Sequence, residues 1–377
     1  MTKHYIQDIR LLDGLGGDIP RADVLISNGV ITDIRIPSSP APSDYVAIQG
    51  NRRTLMPGLI DGHVHLLFDS SPEAPMAMLG KSREQLIADA LERACITLKS
   101  GVTCIRELSG TPKAMFSLRD ALAGEKRIPR IVDCFATLTA EGGFGSAVAL
   151  GITKQNAASV IGSYAEKADF IKLLGDRYDS ESPDGFAPHF DDASFAEICR
   201  IARHMGKPVT AHAKCSASIR QCLNNGVHSI EHAVRAEDAD LKEMAAQGIF
   251  LDATFLGLKC RAENQPDFDE FDRVKAYYPR ACRFGVRLTT GSDAGAFFTP
   301  HGGLVKELEF MVQAGMSPLD AIKAATSVSA LRLGDKSIGA VEVGRKADLI
   351  LIENDPLQDI SAIQHSLCWV MKDGQIC

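Results

Sequence analysis

The stretch Leu55-Met-Pro-Gly-Leu-Ile-Asp-Gly-His-Val-His65 is a short apolar run that ends in two histidines two residues apart. Residues two apart on an extended strand point to the same face, so His63 and His65 can grip one metal ion. The motif alone is weak, because two strand histidines are as readily packed or hydrogen-bonded. Seven further short apolar runs follow, at 102–107, 130–137, 168–174, 208–212, 227–232, 248–254 and 286–293. The longer stretches between them, such as 83–100, 193–205 and 236–247, carry apolar residues at i, i+3 and i+4 and run into Gly101, Gly206 and Gly248. Eight β/α units over roughly 280 residues predict an α/β fold, a (β/α)8 TIM barrel whose site lies at the carboxyl ends of the strands.

Outside this repeat both ends are strand-rich. Near the start come 5–11, 24–27 and 30–36, the last two joined by Asn28-Gly29, a turn whose residues tolerate positive φ. Near the finish come 347–352 and 369–371, then a turn at Lys372-Asp373-Gly374. Gly339-Ala-Val-Glu-Val-Gly344 reads as the return from the last barrel helix. The expected division is residues 56–339 for the barrel, and residues 1–55 with 340–377 for a small β-sandwich.

Composition narrows the class. Among 377 residues, 45% are hydrophobic and 24% charged, which excludes disordered and low-complexity chains. The net charge of -7, from 41 basic and 48 acidic side chains with no basic run, disfavours nucleic acid and anionic membranes as partners and favours a small-molecule substrate. Residues 1–12 lack the apolar core of a signal peptide, and no apolar run reaches the roughly 18 residues of a membrane span. The ten cysteines include no C-x-x-C pair, so reduced buried thiols in a reducing cytoplasm are expected. Gly80-Lys-Ser82 looks like the end of a P-loop, but Pro75 occupies the place of its first glycine, and no G-x-S-x-G elbow is present.

What strengthens the histidine pair is its company. His212, His232 and Asp293 each end a predicted strand, at the same rim as His63 and His65. Lys172 lies within the apolar fourth strand, where a buried ammonium must be neutral, paired or modified; snorkelling, or a pair with Asp176, is the plain alternative. Glu231 is expected to point away from the site in an outward ion pair, because it precedes His232 on one strand. Arg106 and Glu107 admit either a substrate contact or a barrel salt bridge. His301, in the loop after the last strand, can touch substrate or simply lie exposed.

The ordered set His63-x-His65, Lys172, His212, His232 and Asp293 resembles the binuclear branch of the amidohydrolase superfamily. The stretches Met56–His65, Ala211-His-Ala213, Gly226-Val-His-Ser-Ile-Glu-His-Ala233, Thr290-Gly-Ser-Asp-Ala-Gly295, Ala324-Ala-Thr326 and Gly344-Arg-Lys-Ala-Asp-Leu-Ile350 look like its prolidase-like and imidazolonepropionase-like members. The resemblance implies an N6-carboxylated Lys172 bridging two divalent metal ions, usually zinc. His63, His65 and Asp293 would hold the buried ion, and His212 with His232 the more exposed one. It implies hydroxide attack on a carbonyl, with Asp293 moving the proton to the leaving group. It also implies the pairing of the two end segments and a homo-oligomer.

The chain departs from that pattern in two places. Prolidase-like members commonly have Gly-Gly-His-Gly after the third strand and a tyrosine after the seventh; here stand Gly142-Gly-Phe-Gly145 and Thr254-Phe-Leu-Gly-Leu258. Phe144, Phe255 and Leu256 are therefore expected to favour a bulky apolar group. The reading is a binuclear metal hydrolase of a peptide-like or N-acyl amide. Alternatives are a cyclic-amide, imidazolone, lactone or ester hydrolase, or a deaminase. Against the last, no carboxylate follows His212 within Ala213-Lys-Cys-Ser-Ala217. From another class, a catalytically silent barrel scaffold would lack a ligand, and none is lacking.

Overall fold

The computed structural model describes residues 3–37, 42–109, 116–143, 145–265 and 269–377. It is a mixed α/β fold with parallel sheets at its centre and a separate sheet made by the chain ends.

In the end sheet, β1 (His4–Leu12) pairs antiparallel with β2 (Asp18–Ser27), and β2 with β3 (Val30–Arg35). The turn between them has φ of 55° at Asn28 and 77° at Gly29, as the Asn-Gly pair dictates. On the other side of β1 run β4 (Val46–Gln49) and β5 (Thr54–Pro57), both parallel to it. β5 then pairs antiparallel with β18 (Leu349–Ile352), which continues into β19 (Leu367–Lys372) and β20 (Gln375–Ile376). The two ends of the chain thus share one eight-stranded sheet. Alternate residues such as Ile9 and Leu11, Val24 and Ile26, and Leu349 and Leu351 make its buried core.

The predicted first central strand is split. Residues up to Pro57 belong to the end sheet, and β6 (Leu59–Val64) belongs to the centre. The break is at Gly58, where a Cβ would come 2.3 Å from the Thr103 side chain, so the chain can change sheets only with glycine there. β6, β7 (Val102–Glu107) and β8 (Arg130–Asp133) form a three-stranded parallel sheet. β9 (Thr137–Ala140), β10 (Leu150–Ile152), β11 (Ile171–Leu174), β14 (Val209–Ala213), β15 (Ser229–His232), β16 (Phe250–Asp252) and β17 (Arg287–Thr289) form a second, in the order β10-β9-β11-β14-β15-β16-β17. A small hairpin, β12 (Asp176–Tyr178) with β13 (Phe186–Pro188), follows β11. The helix Arg83–Lys99 starts in a capping box of Ser82 and Gln85, and Asp191 caps the helix Asp192–His204.

Hydrogen bonds tie the two parallel sheets together at both edges. Gly62 N–H donates to the Thr290 carbonyl (2.8 Å), Asp293 N–H to His63 (2.9 Å) and His65 N–H to Ala294 (2.8 Å). At the other edge Asp169 N–H donates to Asp133 (2.8 Å), and the Thr137 hydroxyl to Leu108 (2.6 Å).

Both faces of the central strands are buried, but they differ in kind. Ile171, Leu173, Ala211, Ile230, Leu251 and Leu288 face the main apolar core. The opposite face carries Lys172, Thr210, His212, Ser229, Glu231, Asp252 and Thr289. Charges this deep must be paired. Arg332, from the helix Ser329–Leu333, reaches in to Asp252 (3.0 Å), Thr289 (2.7 Å) and the Gly62 carbonyl (2.5 Å). Arg106 donates to Thr210 (2.5 Å), lies 3.6 Å from Glu231 and covers the Phe170 ring.

All ten cysteines are free thiols, and Cys104, Cys134, Cys199, Cys215 and Cys222 are buried. Among the described residues no helix is long and apolar enough to cross a membrane.

Candidate metal centre

His63 and His65 emerge together at the end of β6, and Asp293 meets them from the segment after β17. One ligand-type atom from each lies within 4.8 Å of the others. The Asp293 carboxylate is 3.3 Å from His63 Nε2 and 3.2 Å from His65 Nε2. Its φ of 59° turns it off the strand path toward them. The His63 ring is 5.2 Å from that of His232, which in turn is 4.4 Å from that of His212. Lys172 is buried with no hydrogen-bond partner for its Nζ among the described residues, and its charge acts on His63, His212 and His232.

The expected pair of Lys172 with Asp176 does not form. Asp176 instead lies 3.2 Å from His212 Nε2 and accepts from Cys215 N–H (2.9 Å) and the Ser218 hydroxyl (2.7 Å), at the start of the helix Ser216–Asn224. It therefore caps a helix and orients a histidine at once. Snorkelling is also excluded, since Lys172 is 2% exposed.

Glu231 needs the larger correction. It is fully buried on the polar face, 2.9 Å from His63 Nδ1, and accepts from Ser229 (3.0 Å), with Arg106 and Arg332 beyond. The alternation argument fails one residue later: His232 has φ 71° and Ala233 φ 47°, so the strand turns and His232 swings to the same side as Glu231. Arg106 and Glu107 are interior groups rather than substrate contacts. Glu107 accepts from Leu66 N–H and Ser109 N–H, both at 2.7 Å, and so pins the loop just after His65. Burial pushes its carboxyl up to about 8.

The ring nitrogens of His63, His212 and His232 are arranged in a way that a metal site could use. Glu231 holds His63 at Nδ1, Thr254 holds His232 at Nδ1 (2.7 Å), and Asp176 holds His212 at Nε2, each leaving the other nitrogen for a ligand bond. Burial lowers His63 to about 4 and His232 well below its usual value, so both imidazoles are neutral. Burial would raise Asp293, but His63 and His65 hold it below the usual carboxylate range. Neutral imidazole and ionised carboxylate are the protonation states that a divalent cation takes. Burial also draws Lys172 down to about 8.

Residues 54–377 match the family described as the amidohydrolase family. The chain belongs to the amidohydrolase family. It is a hydrolase of that family, with the His63, His65 and Asp293 group at a candidate metal site. This amidohydrolase is 26% identical over 422 aligned positions to the ochratoxinase of Aspergillus niger, the match covering 97% of this chain and 85% of that protein. It is 22% identical over 386 positions to an imidazolonepropionase of Fusobacterium nucleatum subsp. nucleatum, covering 92% and 87%. Among solved structures it is similar to a Xaa-Pro dipeptidase with bound methionine in the active site, at a TM-score of 0.89, 26% identity and 100% coverage of both chains.

The substrate contacts expected of the amidohydrolase fare differently from the ligands. Phe144 lies outside the described residues. Phe255 does not reach the site: it is fully buried, with Tyr278 at 4.9 Å and Phe271 at 5.8 Å between ring centres. Its position starts a helix, Phe255–Asn264, and turns the side chain into the core. Leu256 is 6% exposed and packs over Gly303; its N–H and that of Phe255 donate to the buried Glu307 (2.7 and 2.9 Å). His301 is neither exposed nor among the ligands. Its Nε2 donates to the Phe68 carbonyl (3.1 Å), and the Phe68 ring stacks on His65 at 4.8 Å.

Sequence reasoning did not foresee what holds the candidate ligands: it gave Asp176 and Glu107 other roles, and Thr254 and Gly257 none. At Gly257 a Cβ would come 2.7 Å from Asp293 Cβ and 2.9 Å from its Oδ2. Gly257→Ala is expected to displace Asp293 and lower kcat by about 10- to 100-fold, with the far-ultraviolet spectrum unchanged. A parental kcat in that variant would show that Asp293 needs no such close seat.

Proposed function

We propose that this amidohydrolase is a binuclear metal hydrolase that cleaves the amide of an N-acyl or peptide-like small molecule with a bulky apolar group. The observation that carries the reading is Lys172, buried with no hydrogen-bond partner for its Nζ among the described residues, on the strand next to that of His212 and close enough for its charge to act on His63, His212 and His232. On this reading Lys172 is carboxylated: its neutral amine attacks carbon dioxide, one N–C bond forms and a proton leaves. The resulting carbamate would join His63, His65 and Asp293, with His212 and His232, in holding two divalent ions, for which zinc suits the imidazole and carboxylate donor set. Bound there, such ions supply Lewis acidity to a carbonyl and acidify water.

The chain's own groups supply the rest. Asp293, ionised and between two imidazoles, accepts the proton of the attacking water and returns it to the leaving nitrogen. Glu231, Thr254 and Asp176 keep His63, His232 and His212 in one tautomer and orientation. The hydrogen bonds that join β17's continuation to β6, and β8 to β11's approach, support a closed (β/α)8 barrel over the expected residues 56–339, with its start moved to Gly58 because β5 (Thr54–Pro57) lies in the end sheet. The residues before it and 340–377 then form the flanking β domain, a sandwich on this reading. The ochratoxinase and Xaa-Pro dipeptidase likenesses favour an amide. A deaminase reading is disfavoured because no carboxylate stands in the stretch Ala213-Lys-Cys-Ser-Ala217 after His212. We further place the enzyme in a reducing cytoplasm as a homo-oligomer.

The test is metal content of protein purified with bicarbonate, by elemental analysis, beside turnover of N-acylated aromatic amino acids. About two ions per chain with release of the free amine is the expected result. One ion with ammonia released from aminated heterocycles would replace this reading with the deaminase, and no ions with no turnover would leave a silent scaffold.

A further inference from the structure

Lys214 comes directly after Ala213, the last residue of β14, and its N–H donates to Asp176, the carboxylate that also lies 3.2 Å from His212 Nε2. Lys214 is 4% exposed, and its ammonium is 2.7 Å from the Glu270 carboxylate, itself 3% exposed. The Phe186 ring of β13 covers another side at 5.3 Å. An ammonium has three donors, and Glu270 takes one. The other Glu270 oxygen has no partner among the described residues.

The Lys214 charge is felt by the ligand groups: it acts on His212, His232 and Asp293. A buried ion pair is a poor way to gain stability, since apolar side chains of similar volume do as well without the desolvation cost. A fixed cation beside the ligands of the more exposed ion does something that apolar side chains cannot. We propose that Lys214 is a specificity-determining residue that binds a carboxylate on the substrate, with Glu270 fixing the ammonium in place. This deepens the amide-hydrolase reading and rests on it: the substrate becomes an N-acyl amino acid or peptide with its carboxylate near the scissile amide.

The test compares N-acetyl-L-phenylalanine with N-acetyl-2-phenylethylamine, which differ only in the carboxylate, on the metal-loaded full chain. The parent is expected to favour the acid by about 10- to 100-fold in kcat/KM, mostly through KM. Replacing the pair together, Lys214→Met with Glu270→Met, avoids stranding a buried charge and is expected to bring the ratio near one. Lys214→Arg should keep most of it. Calorimetric binding of 3-phenylpropanoate gives a readout without turnover, expected in the parent and lost in the double variant. Equal kcat/KM for the two compounds in the parent, or a preference that survives in the double variant, overturns the inference while leaving the amide-hydrolase reading intact. Hydrolysis of neither compound, with no amide turned over in the wider screen, would instead overturn that reading.

Discussion

Asp293→Asn is expected to lower kcat by about 10³-fold, within the range for loss of a positioned acid or base, while metal content stays at the parental value. The amide keeps the size and one oxygen donor of the carboxylate, so the close packing at Gly257 is retained. What it loses is the capacity to take a proton. In the structure Asp293 is held ionised by His63 and His65, and those two side chains are at 3.3 and 3.2 Å. Steady-state kinetics with elemental analysis on the same preparation makes the comparison. A variant that turns over at the parental rate with full metal would remove Asp293 from proton transfer and leave it as a ligand alone.

Lys172→Ala is expected to have the second large effect, and of a different kind. Metal content should fall from about two ions to one or none, and kcat/KM by roughly 10³-fold or more, the scale of several kcal/mol of lost charge stabilisation. The protein should nevertheless fold, because the alanine removes a buried ammonium that has no hydrogen-bond partner among the described residues. A circular-dichroism melt at or above the parental midpoint, alongside the metal loss, separates ligand removal from unfolding. Full retention of two ions would show that Lys172 bridges nothing.

How much of this was visible in the sequence differs from residue to residue. His63, His65, His212, His232 and Asp293 were legible as candidates because each ends a short apolar run, and a strand's period of two fixes which side chains share a face. His63, His65 and Asp293 do meet. Glu231 was misread because the same period was carried one residue too far: a positive φ at His232 cannot be seen in an alternation pattern. Phe255 was misread because the turn at Thr254, φ 51°, starts a helix directly after the strand and turns the ring into the core. The split at Gly58 was hidden inside one continuous apolar run that serves two sheets. Arg332 was out of reach altogether, since nothing local marks a helical arginine as the counter-charge of Asp252, 80 positions away, and of Glu231.

That long reach sets an order of assembly. His63 is oriented by Glu231, and Glu231 shares its buried charge with Arg332. The sheet edge that receives β5, immediately before β6, is supplied by β18. On the ribosome the first ligands therefore emerge long before the groups that steady them, and roughly three hundred residues must be made before the pocket can hold its shape, so nascent chains stopped short of Arg332 should expose His63 and His65 on an unfinished edge. Hydrolytic competence is therefore expected only once Arg332 and β18 have been made.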